Sequence, residues 1–111
     1  QWSYRNNAKL MGWANRPATS PANVRTPSST AMFIDGHLPA SRYTLYNGRF
    51  RGPKNIWPWH NQDSPLYPEA TIYDGVGNVA FADGAVRSVK VKVNIVTGDH
   101  SMSEDIKTAP E

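Results

Sequence analysis

The amino-acid sequence predicts an α+β domain that is mainly β, an antiparallel sheet with long Pro/Trp-rich loops. Three observations lead there. Nine prolines and eight glycines in 111 residues leave little room for long helices, since proline removes a backbone donor and glycine favours turns. Two Asp-Gly turns, at 35–36 and 83–84, each follow an apolar run containing phenylalanine. From Thr71 to about Val96 the β signal is strong, with alternating valines, the pattern of a sheet buried on one side.

The elements follow in order. Residues 1–16 (QWSYRNNAKLMGWANR) offer one or two helical turns around 8–13; Gly12 and the asparagines weaken that helix, and a loop with anchored aromatics is the alternative. The connector 17–30 (PATSPANVRTPSST) has no period. The run 30–36 (TAMFIDG) reads as a buried strand ending in a turn. RYTLYNGRF reads as a hairpin, because Asn47-Gly48 is a strong two-residue turn signal. The stretch 52–70 holds four of the prolines and two tryptophans, and long irregular loops of this kind usually face a ligand or partner. Sheet strands are expected at 30–34, 43–46, 77–82 and 85–95. The whole reads as one domain over 1–111: an extended or short helical segment to 29, the sheet over 30–96, and a polar tail over 97–111, frayed or draped on the surface.

The stretch YDGVGNVAFADGAVRSVKVKV (73–93) carries the strongest local signal. Its Asp83-Gly84 suits a two-residue type I′ turn, which pairs Ala82 with Ala85, Phe81 with Val86 and Val79 with Ser88. In that register Val79, Phe81 and Val86 share one face while Val89, Val91, Val93 and Ile95 fall on the other. A bulge near Arg87 and Ser88 is the expected remedy. A phosphate cradle is excluded by context, since it needs a helix directly after the glycines and a strand follows here. Asp74, Asn78 and Asp83 are oxygen donors for a calcium ion, with Asp63 and Glu69 upstream; calcium wants six to eight oxygens, and the EF-hand spacing is missing. No other cofactor is expected.

Other chemistry is sparse. There is no cysteine, which excludes disulfides, thiolate zinc sites and a cysteine nucleophile. The three histidines lack metal-ligand spacing, and His60, Asp63 and Ser64 make only a generic hydrolytic set. Trp57, Trp59 and Tyr67, with His60 among them, form either a stacking platform for glycan or peptide or plugs for the protein's own core. The net charge of +3 is spread over scattered basic residues, so nucleic acid is not an expected partner. No run approaches the ~18 apolar residues of a membrane span, and Gln1 in place of a methionine fits a processed or truncated piece.

Three stretches in order resemble a known family. GNVAFADGAVRSV is similar to the carboxy-terminal signature of prepilin-type, pseudopilin-like proteins with the H-X9-DG motif, matching at Gly75, Asn78, Val79, Phe81, Ala82, Asp83, Gly84 and Val86. Ten residues before Asp83, where the family has histidine, this chain has Tyr73. WSYRNNAKLMGW and TPSSTAMFIDG resemble the family's two upstream stretches. The resemblance runs patchily from about Tyr4 to Val89 and leaves the middle loop unmatched. It implies the pilin-like globular head of a bacterial, extracytoplasmic subunit of a type IV pilus or type II secretion assembly. Such a subunit is not an enzyme; it contacts other pilin or pseudopilin subunits or itself, and meets the membrane only through an amino-terminal helix lying outside this sequence. Tyrosine at 73 cannot reproduce imidazole protonation or metal ligation at neutral pH.

Overall fold

The computed structural model describes residues 3–12, 17–36, 49–50, 52–58, 60 and 71–111. The protein is mainly β with one short helix. Its strands are β1 (Ser3–Asn7), β2 (Ala31–Gly36), β3 (Arg49–Phe50), β4 (Ile72–Phe81), β5 (Val86–Asn94) and β6 (His100–Met102), and its helix is α1 (Ala8–Met11). They form one sheet in the order β3-β1-β2-β4-β5-β6. Every neighbouring pair is antiparallel except β1 with β3, a parallel contact of two residues. The expected strand at 43–46 and the Asn47-Gly48 turn lie outside the described residues.

The β4–β5 hairpin sets the core, and its register corrects the sequence expectation. Ala80 pairs with Val86, Val79 with Arg87 and Asn78 with Ser88, without interruption to Ile72 and Asn94. This is one residue away from the two-residue-loop register. The turn is longer: Phe81 N–H donates to the Ala85 carbonyl (2.8 Å) and Gly84 N–H to the Phe81 carbonyl (2.9 Å). Gly84 has φ +93°, so the loop spans three residues and the glycine takes up the extra one. The shift restores a single parity, and no bulge is needed at Arg87 or Ser88. Tyr73, Val79 and Phe81 now share the buried face with Val89, Val91 and Val93, while Val86 is left 71% exposed.

On that face Ala31, Ile34, Ile56, Val79, Phe81, Val89, Val91, Val93 and Ile106 form one cluster, with Trp57 and Met102 packed against it. Each fully buried aliphatic or aromatic side chain stabilises by about 1.5–3 kcal/mol relative to exposure. Burying these alternate residues is what locks the register.

Both ends of the chain join the sheet, against expectation. The helical turns around 8–13 reduce to α1, capped by the Asn7 side chain accepting from Lys9 N–H (2.9 Å) and ended at Gly12 with φ +85°. Before it, the polar SYRNN forms β1 beside β2. The 97–111 tail is not frayed: it supplies β6, buries Ile106 in the core and runs parallel beside the start of β2 through a Thr30–Lys107 bridge. Lys107 N–H donates to the Ser29 carbonyl (2.8 Å), and the Lys107 carbonyl accepts from Ala31 N–H (2.9 Å). Asn7, fully buried, donates from Nδ2 to the carbonyls of Ala31 and Thr108, each at 2.8 Å. All its hydrogen-bonding capacity but one acceptor lone pair is thereby used in tying the amino end, β2 and the tail together.

Candidate functional site

The signature residues are spread along one strand and its turn. Tyr73 stands near the start of β4 and Asp83 in the turn beyond its end, on the order of 30 Å apart at ~3.4 Å per residue. Tyr73 is fully buried and its ring packs against Trp57, with centroids 5.7 Å apart and planes tilted by 38°. Asp83 Oδ1 accepts from Ala85 N–H (3.0 Å), and Asp83 N–H donates to the Pro27 carbonyl (3.2 Å). Ala82 N–H donates to the Thr30 carbonyl (2.9 Å). The turn is therefore seated on the segment before β2. Phe81 lies in the core with the Arg87 guanidinium 3.8 Å above its ring. Arg87 also reaches Glu104 (2.8 Å) and the Ser28 carbonyl (3.1 Å). Its hydrogen bond to the Glu104 carboxylate holds its pKa above the ordinary arginine value, so the cation persists at any physiological pH.

The glycines of β4 have their own use. By register Gly75 and Gly77 sit on the core-facing row between Tyr73 and Val79, opposite Val91 and Val89. They leave a trough, and the 56–58 segment crosses at Gly77: a Cβ there would stand 2.7 Å from the Trp57 carbonyl oxygen and 3.1 Å from Ile56 Cγ2. Ile56 and Pro58 are fully buried. His100 Nε2 lies 2.8 Å from the Ile56 carbonyl; a carbonyl only accepts, so Nε2 carries the proton. His60 pairs with Val76 through two backbone hydrogen bonds (3.0 and 2.8 Å). Within the described part of the Trp/Pro loop, Ile56, Trp57 and Pro58 thus pack onto the core. Trp59 and Tyr67, with Asp63, Ser64, Glu69 and His37, lie outside the described residues.

Of the calcium donors, the three within the described residues, Asp74, Asn78 and Asp83, are not brought together. Asp74 and Asn78 are on the solvent-side row of β4, roughly 13 Å apart by strand rise, and Asn78 Oδ1 accepts from Ser88 Oγ (2.8 Å). Asp83 is in the turn. Among the described residues no three acidic or histidine side chains gather as a metal site.

What the structure adds is on the solvent side of β4, β5 and β6. A depression of about 460 Å³ is lined by Ile72, Lys92, Asn94, Asp99, His100 and Ser101. A shallower one of about 250 Å³ adjoins it along Asp74, Lys90 and Ser103. Among the described residues the side chains of Asp74, Lys90, Lys92 and Asp99 have no ion-pair partner. Beside the larger depression a braced turn joins β5 to β6. Asn94 Oδ1 accepts from Val96 and Thr97 N–H (2.9 and 3.0 Å), and Gly98 N–H donates to the Asn94 carbonyl (2.9 Å) at φ +80°. Sequence reading missed this surface because strand alternation says which residues face water, not which of them share a hollow. The crossing at Gly77 did leave a trace: paired glycines inside a strand mark close backbone approach.

Compared with protein-family models, with curated proteins and with solved structures, the chain matches none.

Proposed function

We propose that this domain is a non-catalytic subunit head of pilin or pseudopilin type, acting outside the bacterial cytoplasm through contacts with other subunits of a filament or secretion assembly. The observation that supports it best is how the signature residues are used. Phe81 and Val79 build the core, and Asp83 and Gly84 build a turn seated on the segment before β2. Tyr73, where relatives of the resembled family carry histidine, is enclosed against Trp57. A motif spent on scaffold suits a domain whose work is done by its surface. The gene upstream of the Gln1 codon provides the test. A leader peptide and an apolar helix of about 20 residues are expected there. A reading frame with neither one overturns the proposal.

A further inference from the structure

The geometry points to a self-association surface: two copies of the chain meet about a two-fold axis at the solvent-side end of β4, β5 and β6. Each places Val96 against the other's Ile72–Asp99 depression, with Lys92 of one copy facing Asp99 of the other. The inference rests on the assembly role proposed above for its biological sense and on the following residues for its geometry.

Turn tips ordinarily carry glycine, asparagine, aspartate or serine. Here the polar side chains sit at the flanks and are used up bracing the turn: Asn94 takes two amides and Thr97 Oγ1 takes Asp99 N–H (3.2 Å). The tip is left to Ile95 and Val96, the latter 75% exposed, with Ile72 exposed nearby on β4; the carbonyl of Thr71, just before that strand, accepts from Ile95 N–H. A tip already fixed by its own hydrogen bonds loses little freedom on docking. The knob adjoins its hole, since Asn94 belongs to both. That hole is edged by one cation and one anion, Lys92 and Asp99, both exposed and neither paired among the described residues. In a two-fold contact residue i meets j while j meets i. A second copy therefore supplies the acid, the base and the apolar tip that the surface calls for.

Sedimentation velocity on the purified chain, from about 10 μM to about 1 mM, tests this in the range of weak complexes. Mass is expected to rise with concentration. Lys92→Glu and Asp99→Lys should each weaken association about tenfold, since symmetry turns each reversal into two repulsive contacts. An equimolar mixture of the two variants restores both attractive contacts and should regain the original affinity. Val96→Asp should abolish association. All three side chains are exposed, so unchanged circular-dichroism melting will certify folding. A wild-type chain that stays monomeric throughout, or a mixture no tighter than its components, overturns the inference. Either result leaves the upstream-gene test of the pilin reading untouched; conversely, association through this face in a protein lacking the leader and helix would sink only that reading.

Discussion

Two glycines of the quoted stretch do opposite jobs. Gly84 has open space around its absent Cβ but a backbone at φ +93°, whereas Gly77 has no room for a Cβ because the Trp57 carbonyl occupies it. Gly84→Ala should therefore cost about 1–2 kcal/mol of backbone strain. Gly77→Ala should cost about 3 kcal/mol or more, at the upper end of overpacking, because the obstruction is backbone and cannot swing aside. Urea denaturation of the two variants checks the ranking; an alanine at 77 as mild as one at 84 would mean the 56–58 segment gives way easily. At this scale the sequence was legible in part. Asp-Gly announced a turn, while the alternating Gly75 and Gly77 were read only as part of a glycine-rich lead-in and not as the crossing point they are. Asn7 was not legible, since a single asparagine in a polar run carries no pattern until its three partners are placed.

At the scale of elements, the hairpin shows where pattern reading stops. Two strands were expected here, at 77–82 and 85–95; the first in fact begins five residues earlier, at Ile72, and the register came out one residue off because a two-residue loop was assumed for Asp83-Gly84. The parity conflict between Val86 and Val89 was itself the clue. Val86→Ala should change stability by no more than about 0.5 kcal/mol, as befits a surface position. Val89→Ala should lose about 2 kcal/mol through removed methyl groups and the cavity they leave. Equal losses would restore the two-residue turn with its bulge. The tail was illegible for a different reason: Ile106 is one apolar residue among charges, and a single peg has no period. Ile106→Ala should cost about 2–5 kcal/mol. The Ala31 and Lys107 amides, each hydrogen-bonded across to the other segment, should exchange with solvent as slowly as those of β5, which a frayed tail would not allow.

For the whole molecule, charge and topology matter more than any one residue. Because Asp74, Asn78 and Asp83 are dispersed along a strand and its turn, millimolar calcium should leave the melting temperature unchanged; a clear rise would reveal donors from elsewhere in the chain. Two of the basic residues, Lys90 and Lys92, share the solvent side of the sheet with Asp74 and Asp99, a grouping set by strand pairing and not by their spacing in the sequence. The bond from Asn7 to Thr108, 101 positions apart in sequence, also has a mechanical meaning. A pull applied to the two ends is borne by the β1–β2 pairing, by the Arg25 N–H bond to the Pro110 carbonyl, by that amide and by the Thr30–Lys107 bridge. Until those part, the β4–β5 hairpin carries no load, so tension would peel the amino strand and tail away as one clasp before the valine core felt any of it.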